Sequence, residues 1–177
     1  KMSYHANVTA ALYFMNDVMP LIWAKRPNVQ VWIVGKDPTL AVRQLATRNP
    51  RHVTVTGTVP NIRSYLSRAT VAVCPVKYGA GIQNKVLEAM AVMTPVVATP
   101  QAISALDVTD GEHVLVGGGS EVFAQAVLRL LEDKDLQNRI GRAGRQYVEK
   151  HHDWNSIANH LQSMYQNSLQ NARKIRD

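Results

Sequence analysis

The sequence predicts a single α/β domain: a parallel β-sheet with helices on both faces, followed by a helical C-terminal tail. Three observations carry this prediction. Short apolar segments alternate with amphipathic ones at close spacing up to Val116, the pattern of repeated β–α units. The apolar segments are continuous, as in Val71–Val76 and Val96–Thr99, which suits strands buried on both faces. Beyond Ser120 only helical periodicity remains.

Each element has its own local warrant. Asn7 is a candidate cap for a helix running to about Lys25, with Leu12, Met15, Met19 and Ile22 on one apolar face. Pro20 should kink or split that helix, because it removes a backbone donor. Val29–Gly35 reads as a buried strand, Thr39–Thr47 as a helix, Val53–Val55 as a short strand and Ile62–Ser67 as a short helix. Val71–Val76 is the next strand, Asn84–Val92 a helix, and Val96–Thr99 and Val114–Val116 the last strands. In the tail, Ser120–Glu132 is amphipathic, Asp133 caps a helix ending near His151, and Asp153 caps a last helix from Trp154. Trp154 is then a buried anchor, as its size favours.

Composition narrows the class. The chain has 177 residues, 46% hydrophobic, enough for one domain with a real core. It contains no apolar run of about eighteen residues, as a membrane span would need, and nothing resembling a signal peptide. Lys1-Met2 reads as the interior of a longer chain. The single cysteine, Cys74, lies in a buried-type strand; it rules out an internal disulfide framework and fits a reducing cytoplasm. The sequon Asn7-Val8-Thr9 is then read as chance. A formal charge of +7 favours polyanions, whether nucleic acid, acidic head groups or a nucleotide diphosphate. The cations are scattered, with mild clusters at Arg48–His52 and Arg173–Arg176, and no aromatic–basic interleaving marks a nucleic-acid platform. Six histidines are present, but none has the spacing of a metal site or a triad.

In parallel sheets ligands bind at the C-terminal strand ends. Here those ends carry Gly35-Lys36, Thr56–Asn61 and Lys77–Gly81, which should converge on one crevice. The stretch from Val71 to Thr99 says most. A strand enters a turn containing Gly79 and Gly81, and a helix follows with Lys85 in its first turn and Glu88 one turn later. Free amides and the positive end of the helix dipole make such a turn an anion site. Lys85 adds a full charge, and Glu88 can accept hydrogen bonds from sugar hydroxyls. The competing interpretation is a surface Lys–Glu pair, worth under ~1 kcal/mol. Lys36 reads equally as a phosphate contact or a solvated loop lysine. Val59 and Pro60 read as a platform for a flat base or as a plain turn. No Walker loop or Gly-x-Gly-x-x-Gly fingerprint is present, which argues against ATP hydrolysis and hydride transfer.

These residues resemble the C-terminal, nucleotide-sugar-binding domain of the family 4 glycosyltransferases, the retaining group of the GT-B fold. The resemblance rests on Ile33-Val34-Gly35, on Val53–Asn61, on Glu88-Ala-Met-Ala with Pro95-Val-Val-Ala, and on His152-Asp-Trp-Asn-Ser-Ile-Ala158, and it covers nearly the whole chain. The Gly-Ile-Gln-Asn-Lys-Val-Leu-Glu version is most similar to transferases of bacterial exopolysaccharide gene clusters. The resemblance implies a Rossmann-like domain over residues 1–177, one half of a GT-B fold, lacking the acceptor-binding N-terminal domain and the strand before Lys1. It implies transfer of a sugar from a nucleotide diphosphate with retention of configuration, with no required metal and no other cofactor. The expected setting is cytoplasmic, peripheral at the inner membrane face. The expected partners are the nucleotide-sugar donor and an acceptor brought by the N-terminal domain, with no nucleic acid. Glu88 takes the position that holds the donor ribose, and Gly81 and Ile82 supply amides to the diphosphate. Lys1 matches the basic residue that neutralises leaving-group charge. Read from the residues themselves, Lys85 joins Lys1 and Glu88 as a catalytic candidate, and Gly35, Lys36, Val59, Pro60, Lys77, Gly79 and Gln83 join Gly81 and Ile82 as candidate donor contacts. Two departures stand out. Ala80 occupies the place of a second glutamate, and Asn7 that of a second basic residue, whose charge Lys77 or Lys85 can replace. Ala80 lends some weight to a catalytically silent module. Charge alone suggests a nucleic-acid-binding domain.

Overall fold

Two parallel sheets, rather than the single sheet expected, organise the computed structural model of this chain, which describes residues 1–79, 81–153, 158, 161–166 and 168. Trp154, where the last helix is expected to start, the Arg173–Arg176 cluster and Ala80 lie outside these residues, while 158, 161–166 and 168 are helical. Strand β1 (Val31–Val34) pairs with β2 (Val53–Gly57), and β3 (Ala72–Cys74), β4 (Val96–Ala98) and β5 (Leu115–Val116) form the second sheet in that order. β–α alternation dictates parallel strands but not which strands neighbour each other. Among the described residues β1 and β3 each keep one edge without a partner strand. β3 also stops short of the predicted Val76, because Pro75 has no N–H to give the ladder.

The first helical stretch shows how Pro20 is accommodated. Helix α1 (His5–Tyr13) passes through a π-helical turn at Phe14–Val18 into α2 (Met19–Lys25). The Met19 N–H reaches back five residues to the Phe14 carbonyl, widening the turn just before the proline. Pro20 then sits in the first turn of α2, where a missing N–H costs nothing. Asn7 does not cap α1. The cap position is Tyr4, and Asn7 lies one turn inside with its side chain engaged elsewhere.

The remaining helices are α3 (Leu40–Arg48), α4 (Arg63–Leu66), α5 (Asn84–Ala91), α6 (Pro100–Ile103), α7 (Ser120–Glu132) and α8 (Lys134–His151). Thr39 and Asp133 cap α3 and α8, accepting from the N–H groups of Val42 (3.4 Å) and Leu136 (2.8 Å). The short α6 escaped the pattern reading, although Thr99-Pro100 supplies a cap and a proline at the first position.

Helices cover both faces, and β4 shows it residue by residue. Val97 joins one buried cluster with Val18, Ile22, Phe123 and Leu130, while Val96 and Ala98 join another with Val86, Met90 and Val114. Alternate side chains of a strand point to opposite faces, so α1, α2 and α7 pack on one side and α5 on the other. Helix α8 lies across α5, with Gly141 and Gly144 at the contact.

At the end of α8 the Tyr147 ring is surrounded by His113, His151 and His152, with centroids at 5.3, 4.9 and 5.4 Å. The Tyr147 hydroxyl accepts from the Asp107 N–H (3.1 Å) and faces His152 Nε2 at 3.4 Å. Burial, and then the charge of His151, hold the His152 ring below its ordinary pKa. A protonated ring can no longer accept from the tyrosine. The unfolded chain therefore binds this proton more readily, and stability falls as pH drops from about 6.5 through the folded-state value. Thermal midpoints measured from pH 8 to pH 5 should fall on the acid side, and His152→Gln should flatten the curve. A curve unchanged by that substitution would refute this assignment.

Candidate functional site

The ends of β1 and β2 meet, and the chain start joins them. The Gly35 N–H donates to the Gly57 carbonyl (3.3 Å), linking the ends of β1 and β2, and the Met2 N–H donates to the Lys36 carbonyl (2.7 Å). Gly35 has φ 155°, which L side chains rarely adopt, and a Cβ there would also lie 2.9 Å from Met2 Cγ. Lys1 is exposed, with its ammonium 3.6 Å from Asp37 Oδ2. Lys36 is exposed, and its side chain makes no hydrogen bond or ion pair with the described residues.

The segment from Lys77 to Glu88 holds the densest chemistry. Gly79 and Gly81 flank Ala80, and Gly81 has φ 86° with open space where a Cβ would stand. A side chain there would be strained, and its absence leaves the backbone amides approachable. Gln83 takes the cap position of α5 without a side-chain cap, so the first-turn N–H groups of Asn84 and Lys85 have no partner among the described residues. Lys85 is half-buried. Its ammonium donates to Asn7 Oδ1 (3.1 Å) and Gln83 Oε1 (2.9 Å), while Asn7 Nδ2 donates to the Lys1 carbonyl (2.9 Å). Lys1, Asn7, Gln83 and Lys85 thus form one connected polar group. Glu88 is exposed and makes no hydrogen bond or ion pair with the described residues. The surface Lys–Glu pair does not form: Lys85 turns toward α1 instead.

Lys77 points elsewhere, with its ammonium 3.6 Å from the centroid of the Tyr13 ring in a cation–π contact. Val59 (half-buried) and Pro60 (exposed) stand in the loop after β2, and Ile82 is half-exposed before α5. Near the β2 end, Asp37, Arg43 and Thr58 help line a cavity of about 380 Å³. Sequence reasoning missed the contacts of Asn7 and a cluster in which the Tyr78 hydroxyl meets His5 Nδ1 and shares a hydrogen bond with Thr9 Oγ1 (3.0 Å). Pairs separated by about 70 positions leave no local signal.

The Lys85 charge bears on one core group. Cys74, at the end of β3, is free and buried, and burial pushes its thiol pKa up while the Lys85 charge pulls it down. Among the described residues no group of three His, Cys, Asp or Glu side chains could hold a metal ion, and no helix is long and apolar enough to cross a membrane. The arrangement can hold an anion against Lys85 and the α5 N-terminus, with a free carboxylate one turn further along.

Residues 1–133 match the family described as "Glycosyl transferases group 1". The chain is 28% identical over 163 residues to the phosphatidyl-myo-inositol mannosyltransferase of Mycobacterium leprae, covering 90% of this chain and 43% of that protein. It is 34% identical over 169 residues to the alpha-maltose-1-phosphate synthase of Mycolicibacterium smegmatis, covering 89% and 43%. The chain therefore spans under half the length of either relative. Among solved structures, a protein from Anabaena in complex with UDP superposes with a TM-score of 0.73 at 18% identity, covering 85% of this chain and 44% of that one. At that identity the likeness shows the shared fold.

Proposed function

Because this chain belongs to the group 1 glycosyl transferases, we propose that it is the donor-binding half of a retaining transferase that takes a sugar from a nucleotide diphosphate. The observation that carries this reading is the Lys85 ammonium at the uncapped start of α5, one turn before the Glu88 carboxylate, which has no partner among the described residues. A diphosphate needs cationic and N–H donors, and a ribose needs a carboxylate acceptor. The site offers both within one helical turn and a half.

As the bond between sugar and diphosphate breaks, negative charge grows on the leaving oxygen. Lys85, the first-turn N–H groups of α5 and the amides of Gly81 and Ile82 stabilise that charge, and Lys1 adds long-range support. Such preorganised donors are the main catalytic resource of a site of this kind. Glu88 accepts from the ribose hydroxyls, and the loop at Val59-Pro60 packs on the base. The hydroxyl of an acceptor bound by a second domain attacks the anomeric carbon on the face the diphosphate vacates and gives its proton to the departing phosphate oxygen, which retains configuration; the step uses no metal ion. Polysaccharide or glycoconjugate synthesis at the inner membrane face is the proposed setting. The exopolysaccharide assignment rests on the Gly81–Glu88 motif alone.

Calorimetric titration of UDP, GDP and ADP into the chain tests this. At least one should bind, and Glu88→Ala should weaken it about tenfold or more, the scale of hydrogen bonds to a charged acceptor. Equal affinity in both proteins would remove Glu88 from the site. A silent binding module, favoured by Ala80, would bind nucleotide yet release no nucleoside diphosphate from any donor in the complete enzyme.

A further inference from the structure

We propose that Asn7 and Gln83 are positioning residues that hold the Lys85 ammonium, without neutralising it, for the diphosphate; this rests on the nucleotide-sugar reading of the site. Two amide oxygens from separate segments, Asn7 Oδ1 at 3.1 Å and Gln83 Oε1 at 2.9 Å, fix a side chain that would otherwise sample many rotamers. An ammonium has three N–H donors, so one remains for a ligand. Both acceptors are uncharged, and no carboxylate pairs with Lys85 among the described residues. The neighbouring lysines differ: Lys1 faces Asp37, and Lys77 rests on Tyr13.

The choice of amide is informative. If the contact served only to tie α5 to α1, a carboxylate at position 7 would hold Lys85 more tightly. It would also cancel the charge. A neutral acceptor that orients a cation and leaves its field intact is what an anion site requires. Asn7 cannot rotate freely, because its Nδ2 donates to the Lys1 carbonyl at 2.9 Å, so its oxygen stays aimed at Lys85. The Lys85 field also reaches the Cys74 thiol, which places the charge at the C-terminal end of β3.

Titration of inorganic pyrophosphate into wild type, Asn7→Ala, Asn7→Asp, Lys85→Met and the double variant Asn7→Lys/Lys85→Met tests this, with thermal midpoints measured alongside. Asn7→Ala should weaken pyrophosphate binding about five- to tenfold, the scale of a lost hydrogen bond to a charged group. Asn7→Asp should keep or raise the midpoint, because the contact to Lys85 becomes an ion pair, and still weaken pyrophosphate by about tenfold or more. The double variant should recover most of the affinity that Lys85→Met loses. Wild-type affinity in Asn7→Asp, or no recovery in the double variant, would overturn the inference, as would the absence of pyrophosphate binding by the wild type. Pyrophosphate binding without binding of UDP, GDP or ADP would overturn the nucleotide-sugar reading instead, and the same variant series would still decide the role of Asn7.

Discussion

Replacing Lys85 by methionine is expected to lower affinity for a nucleoside diphosphate by roughly 30- to 100-fold, with little change in thermal midpoint. The side chain is half-buried, and methionine keeps most of its apolar stem and a similar helix propensity. What is lost is one full charge and its hydrogen bond to phosphate, about 2–3 kcal/mol for a partly desolvated charged contact. The bonds to Asn7 and Gln83 are also lost, but both amides stand near solvent and can re-pair with water. Calorimetry on the variant decides it. Affinity within threefold of wild type would mean that the anion is held by backbone amides alone, and that Lys85 serves only as a link between α1 and α5.

Gly141→Ala should destabilise the domain by about 3 kcal/mol or more, against the direction that local propensity gives. Within a helix, glycine costs about 1 kcal/mol relative to alanine, so α8 considered alone would gain from the change. The neighbouring turn reverses the sign. A Cβ at position 141 would overlap the carbonyl oxygen of Met93, in the turn between α5 and β4. Met93 already has φ 61°, a conformation that favours glycine, so its backbone has little freedom to yield. Overpacking against backbone costs more than the propensity gain returns. Chemical denaturation of the variant should show a lower midpoint with an unchanged slope, and a midpoint at or above wild type would show that α8 shifts to make room. Since α5 carries Lys85 and Glu88, such a shift should also appear in the nucleotide titration.

Much of this molecule is legible in its sequence where the cause is local. Ser120–Glu132 matches α7 residue for residue, and Asp133 caps α8 as its position suggested. Asn84 begins α5 as expected, and Cys74 is buried. Each follows from periodicity, capping or burial within a few residues. The errors share a different origin. Asn7 has the chemistry of a cap, but its side chain found Lys1 and Lys85 instead. Pro20 does split its helix, as its missing donor suggests, but the π-helical turn that absorbs it is announced by no pattern.

The sequence by itself determined the order of strands and helices, the glycine-containing turn before α5, and the presence of Lys85 and Glu88 one turn apart. Spacing along a single chain segment dictates all of these. Only the tertiary structure decided that β1–β2 and β3–β5 form separate sheets, that Lys77 lies on Tyr13, and that Lys85 turns to Asn7 rather than to Glu88. Strand neighbours and the partners of long cationic side chains depend on contacts between residues far apart in sequence. A lysine's reach is set by its backbone, but its direction is set by the acceptors that folding brings near it.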